Sequence, residues 1–362
     1  MKKLLFILII LILTGLGAWF WVTGNNIPIV ETVLNNLPFG SEENIQPTTD
    51  DQQPFGTDSQ TQNEESGIQV SAAGKFIQIS NAPVAGFVIL KTVRYVDRAT
   101  GHIYDFNFTT KEKIKITNQT LPKIYEARFK PDGNTVLFRY LKNDSDSVEN
   151  LSLVLTPPKA TSTSLFTITS TFLRGYTGPI VINSPFTNWA FSEGSKTVVY
   201  TKPQSDAPGY AYFTTANGGL SKILGPLNGL VVNVNSVGNR ILYSYMEDGK
   251  TKLFAKNFTG GKVVKILPAT LADKCAWSTK DAGSVMCAVP KDGIGMDEPE
   301  NWYRGNTYFS DRIWLYDTDT EVAELIAESM NLDIYQPKLS PSEDYLVFID
   351  RNDLSLWALK LE

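Results

Sequence analysis

A recurring unit is what most limits the folds open to this chain. The stretch ARFKPDGNTVLFRY, Ala127 to Tyr140, sets a large apolar residue before a polar turn and an apolar run. The same order returns in FSEGSKTVVY (Phe191 to Tyr200), VNSVGNRILY (Val234 to Tyr243), WSTKDAGSVMC (Trp277 to Cys287) and LSPSEDYLVF (Leu339 to Phe348). With Phe129, Phe191, Val234, Trp277 and Leu339 as anchors, the intervals are 62, 43, 43 and 62 residues. The shorter interval suits a four-stranded propeller blade of about 40 to 45 residues, and the longer ones leave room for insertions. One step of 43 before Phe129 falls on Gly86, in APVAGFVILK, a copy without the turn.

The physics of the unit follows from this order. The anchor ends a blade's innermost strand, Gly or Asp turns the chain, and the apolar run is a second strand buried between neighbouring sheets. Outer hairpins fill the gaps, as in HIYDFNFTTKEKIKI, KLFAKNFTGGKVVKIL and RIWLYDTDTEVAELI. Anchors near 86, 129, 191, 234, 277 and 339 predict an all-β, six-bladed propeller; a seventh blade stays open if the long interval after Phe129 hides further strands. After Leu339 there is room for only three strands, counting the anchor strand. GIQVSAAGKFIQISN, Gly67 to Asn81, is therefore expected to supply the fourth and close the ring, which removes exposed edges.

FKPDG, LSPSEDYLVFID and WSTKDAGSVMC resemble the W-S-P-D-G repeat of TolB-like, WD-type β-propellers, over about Gly67 to Glu362. The copies are degenerate. Only Pro131, Asp132 and Gly133 keep Pro-Asp-Gly, Gly194 comes one position early after Phe191, and the turn after Trp277 is longer. The Gly-His and Trp-Asp signatures of eukaryotic repeats are missing. The resemblance implies a propeller; it does not imply an activity, because propellers host binding, assembly and catalysis alike.

Ahead of the repeats the texture differs. Leu4 to Val22 is an uncharged apolar run of 19 residues, which as a helix spans roughly 28 Å, close to the hydrocarbon thickness of a bilayer. Lys2 and Lys3 before it and acids after it predict a single-pass anchor with the N-terminus inside and the rest outside, in the periplasm or at the cell surface. A cleaved secretory signal is the competing reading; Gly15 and Gly17 offer it only a weak site, and both readings export the body. Residues 24–66 are polar and acidic, too poor in apolar surface to offset the entropy of ordering, and read as a flexible tether. A short helix is expected at Ile27 to Leu37 within it. The domains expected are thus 1–23, 24–66 and 67–362. Setting aside Lys2, Lys3 and the eight acids between Thr23 and Gly74 leaves 31 basic and 30 acidic residues, so the body lacks the basic footprint of a nucleic-acid binder.

Catalytic chemistry is hard to place. His102 is the only histidine, in a turn entering a strand, so a Ser-His-Asp or Cys-His site would have to be built on it alone. Zinc sites needing several histidines or paired Cys-x-x-Cys are excluded by count. Asp317 with Asp319, and Asp144 with Asp146, lack the calcium-loop pattern and read as turn chemistry. No catalytic residue, metal or cofactor is expected. In KCAWSTKDAGSVMCAV, pairing Trp277 with Val285 also sets Cys275 opposite Cys287, compatible with a cross-strand disulfide in an exported protein; two buried thiols are the alternative. The segment Lys291 to Trp314 gathers Trp302, Tyr303, Arg304, Tyr308 and Phe309, types enriched in binding hot spots. It either caps one face of the ring and grips a partner, or folds back and buries its aromatics. The function expected is a non-enzymatic, membrane-tethered module that binds protein partners in the cell envelope. The alternatives are an enzyme or binding propeller acting on a glycan or peptide through channel carboxylates, and an accessory domain of a peptidase.

Overall fold

The computed structural model describes residues 75–361 apart from 143–146, 159–164, 174–181, 183, 187, 193 and 329–330, all within the unit Glu65–Glu362. The expected anchor, the tether with its short helix, residues 67–74 and the pair Asp144 and Asp146 lie outside the described residues. Among those described, no helix is long and apolar enough to cross a membrane.

Six antiparallel sheets of four strands follow one another along the chain. Blade 1 covers 84–115, blade 2 124–172, blade 3 189–228, blade 4 231–265 and blade 5 275–328. Blade 6 takes Ile334–Leu339, Tyr345–Asp350 and Leu356–Lys360, and its fourth strand is Phe76–Ser80, paired antiparallel to Leu356–Lys360. The N-terminal strand thus closes the last sheet. No additional strand appears among the described residues of the interval after Phe129, and the chain is a six-bladed β-propeller.

First strands of neighbouring blades touch one another, which puts them at the centre, whereas fourth strands such as Lys113–Lys115 and Val322–Glu328 are largely exposed at the rim. The anchors sit where the repeat required. Phe129, Val234, Trp277 and Leu339 each end a first strand, and Phe191 lies in one. Gly86 differs, because the first strand of blade 1 runs on to Ile89. What Gly86 does is allow close approach: a Cβ there would come within 1.9 Å of the Ala127 carbonyl oxygen in blade 2.

Second strands carry the core. Among the described residues five buried clusters join blades 6 and 1, 1 and 2, 3 and 4, 4 and 5, and 5 and 6. Alternate side chains of one strand feed opposite clusters: Val285, Cys287 and Val289 of Ser284–Pro290 face blade 4, and Met286 and Ala288 face blade 6. Blade 2 departs from the expectation of a strand buried on both sides. In Thr135–Leu141 only Val136, Phe138 and Tyr140 are buried, against blade 1, while Arg139 and Leu141 are exposed. The second face carries Arg139, whose guanidinium stays at the surface and donates to Glu126.

The turns behave as turn chemistry predicts. Asp132 accepts the Asn134 N–H, and Gly133 takes a left-handed φ of 68°. Asp317 accepts the N–H groups of Asp319 and Thr320. His102 sits before Ile103–Phe106 with its ring beside the Thr120 hydroxyl.

Candidate functional site

The feature that breaks the repeat is the segment 291–310, between the second and third strands of blade 5. Its backbone makes a short helix, α1 (Glu300–Arg304), stopped by Gly305 at φ 78°, whose N–H donates to the carbonyls of Asn301 and Trp302. A left-handed residue there lets the chain reverse, which a β-carbon would resist. α1 aims Trp302 into the ring and leaves Arg304 on the outside.

Trp302 is 0 % exposed and is held at every polar point. Its indole N–H donates to both Asp333 carboxylate oxygens, at 3.1 and 3.0 Å, and its backbone N–H donates to buried Glu298 at 2.8 Å. The Lys274 ammonium stands 4.6 Å from the ring centroid and pairs with Asp333 at 2.7 Å and Asp311 at 2.9 Å, all three with fully buried side chains. Phe309 completes the cage: its N–H donates to Asp333, and Lys274 lies 5.2 Å from its ring. From blade 6, Arg351 donates to the carbonyls of Trp302 and Tyr303, both at 2.8 Å.

A second node lies beside it. The Tyr303 hydroxyl donates to Asp273, which also holds the Tyr200 hydroxyl of blade 3. Tyr335, on the first strand of blade 6, lies under the Arg351 guanidinium, 5.1 Å from its ring centroid, so side chains from blades 3, 5 and 6 meet around this point. The segment also reaches sideways. Glu300 accepts from the backbone N–H and hydroxyl of Ser205 in blade 3. Pro299 covers Gly229, where an added Cβ would come within 3.3 Å of its ring, and Met296 lies against Gly249 of blade 4.

Electrostatics follow from burial. Burial pushes Asp273 up to about 6, against the opposing pull of the two phenols. Asp311 is likewise pushed up to about 6 by burial, with Lys274 opposing and Asp333 reinforcing. Burial raises Asp350, whose carboxylate accepts the Asp333 N–H. Tyr200 and Tyr303 are both raised well above the usual phenol range, burial first and the Asp273 charge second. On blade 2, burial would raise Glu126, but the Arg128 and Arg139 guanidinium groups outweigh it and hold the carboxyl below its usual value.

The five aromatic and basic residues singled out from the sequence therefore part company. Trp302 and Tyr303 point into the ring and bind the segment to it, and Phe309 is half buried. Arg304 and Tyr308 face outward, Tyr308 being 52 % exposed, and Met296 joins them at 70 %. Cys275 and Cys287 occupy opposite positions in the first hairpin of blade 5 and are joined by a disulfide, buried in the cluster between blades 4 and 5. Lys274, Asp311, Asp333 and Asp273 escaped the sequence reading. Lys274 and Asp333 are polar residues at the approaches to first strands, in LADKCAW and NLDIYQP, and only the adjacency of blades 5 and 6 pairs them.

No family model matches the sequence, and no curated protein matches it. Among solved structures the chain is similar to TolB from Acinetobacter baumannii, at 15% identity over 71% of this chain and 57% of that one, with a TM-score of 0.41. It is also similar to the Myceliophteria thermophila Cps50 (Swd1) β-propeller domain, at 8% identity over 79% of this chain and 100% of that one, TM-score 0.45. An oligogalacturonate lyase in complex with manganese matches at 9% identity, covering 81% of this chain and 95% of that one, TM-score 0.41. The fold assignment rests on the six sheets themselves: in architecture the chain is a six-bladed β-propeller closed by its N-terminal strand.

Proposed function

We propose that this propeller is a membrane-anchored, extracytoplasmic module that binds protein partners in the cell envelope. The observation that carries the reading is the outer surface of segment 291–310. Its inward side chains are committed to holding it on the ring, and among the residues it offers to solvent are Met296, Arg304 and Tyr308, types enriched at protein interfaces. The apolar run Leu4 to Val22 supplies the anchor, and the Cys275–Cys287 bond supports export, because disulfides persist in oxidising compartments. A photo-crosslinker placed next to Tyr308 in the full chain, in intact membranes, should recover a discrete protein. Arg304→Ala with Tyr308→Ala should cut that recovery at least tenfold while the melting temperature stays within a few degrees. Undiminished recovery would sink the reading.

A second reading, an enzyme acting on an envelope glycan or peptide, is favoured by Asp273, a half-buried carboxyl held by the Tyr303 hydroxyl, whose proton affinity burial raises as a general acid requires. Turnover of a cell-wall glycan or peptide that disappears in Asp273→Asn would favour it over the first.

A further inference from the structure

The segment 291–310 is fastened to the ring by more acid than base. Under and around it stand four buried carboxyls, Glu298, Asp311, Asp333 and Asp350, and the half-buried Asp273, against one buried cation, Lys274, and the half-buried Arg351. If every group were ionised the node would hold an excess of negative charge away from water, which is costly in a medium of low dielectric. Protons are the cheapest relief.

We infer that the segment is an acid-tightened latch: it seats most firmly at mildly acidic pH and loosens as pH rises through neutrality, opening the central face of blades 3 to 6. The geometry supports this on each side of the contact. Asp273 faces the hydroxyls of Tyr303 on the segment and Tyr200 on blade 3, with Tyr335 of blade 6 nearby. Asp311 faces Lys274 and Asp333 and accepts the Ile334 N–H. Asp333 faces Lys274, the Trp302 indole and the Phe309 N–H, and its own N–H is held by Asp350. Glu298 holds the Trp302 N–H, and Arg351 spans the carbonyls of Trp302 and Tyr303. Loss of the Asp311 proton therefore adds charge where a single ammonium also serves Asp333, and loss of the Asp273 proton adds charge with only two phenols to receive it.

The sign is set by the direction of the shifts. Asp273 and Asp311 bind protons more tightly in the folded chain, where the segment is seated, than they would free in water, so the contribution that opening would release is present in acid and lost as pH rises through about 6. Between pH 5 and pH 8 the loss is about tenfold in the seating equilibrium for one carboxyl and about a hundredfold for both.

Hydrogen exchange on the full chain tests this. After correction for intrinsic exchange rates, protection of the Trp302, Asn306 and Phe309 amides should fall at least tenfold from pH 5 to pH 8. The Leu242 and Tyr243 amides of blade 4 should hold theirs. Equal protection at both pH values, a fall toward acid, or the same change in blade 4 would overturn the proposal. Asp273→Asn with Asp311→Asn should flatten the dependence, and its persistence would refute the assignment to these carboxyls. Should that pair fail to fold, Tyr303→Phe serves: without one phenol the carboxyl of Asp273 holds its proton more tightly, so the transition should move to higher pH, and an unmoved midpoint counts against the latch.

Discussion

Blades 2 and 5 are built from the same repeat, yet they solve opposite problems. In blade 5 the second strand, Ser284–Pro290, is buried on both faces, its first hairpin is crossed by a disulfide, and its insertion is fastened over blades 3, 4 and 6. Blade 2 buries one face of Thr135–Leu141 against blade 1 and turns the other to water, where Glu126 pairs with Arg128 at 2.6 Å and Arg139 at 2.9 Å. Exposed pairs of that kind contribute little, about 0 to 1 kcal/mol each. The repeat thus specifies the hairpin, while the residues that alternate with its apolar positions decide whether a blade is held on one side or two.

The largest break in the contrast should come from Trp302→Ala. It removes a fully buried ring and leaves Asp333 and Lys274 without their shared partner, a loss of about 4 kcal/mol, read as the fall in denaturant midpoint. If the midpoint hardly moves, blade 5 is not held by its insertion. Reducing the Cys275–Cys287 bond comes next, with about 3 kcal/mol expected for a loop of this size. Intact-mass measurement after alkylation should label no cysteine in the native protein and both after reduction.

The pH dependence should follow in size. Raising the pH from 5 to 8 should cost about 2 to 3 kcal/mol across Asp273 and Asp311 together, because both bind protons more tightly when folded. A wild-type stability curve flat across that range removes the buried carboxyls from the account. The smallest effect sharpens the comparison directly: Met286→Ala should cost about 2 kcal/mol, and Leu137→Ala, at the half-exposed face of blade 2, below about 1 kcal/mol. Equal losses would mean that the second face of blade 2 is as well packed as that of blade 5.

Much of the fold was legible in the sequence because propeller blades place their signals locally. An anchor, a turn and an apolar run lie within a dozen residues, so Phe129, Val234, Trp277 and Leu339 could be located without knowing their neighbours. The opposed cysteines were legible for the same reason, a hairpin register being fixed by its own turn. The two nodes were not. Lys274, Asp311 and Asp333 are brought together only when blades 5 and 6 meet, and Tyr200 reaches Asp273 from blade 3. The wet face of blade 2 was visible in retrospect as Arg139 inside an apolar run, a single charge whose weight the pattern of apolar residues understated.

The pairing of Phe76–Ser80 with Leu356–Lys360 has a consequence for the order of assembly. The strand made first in the ring is joined to the one made last, nearly the whole domain apart in sequence, a contact that is slow to form because so long a loop must be closed. At ordinary rates of synthesis the early strand waits on the order of tens of seconds for its partner. Until then the outer edge of Leu356–Lys360 and the two apolar faces of the early strand, Phe76 on one and Ile77 on the other, stand open to other chains, so that the maturing protein is most vulnerable to misassociation at the moment its last blade emerges.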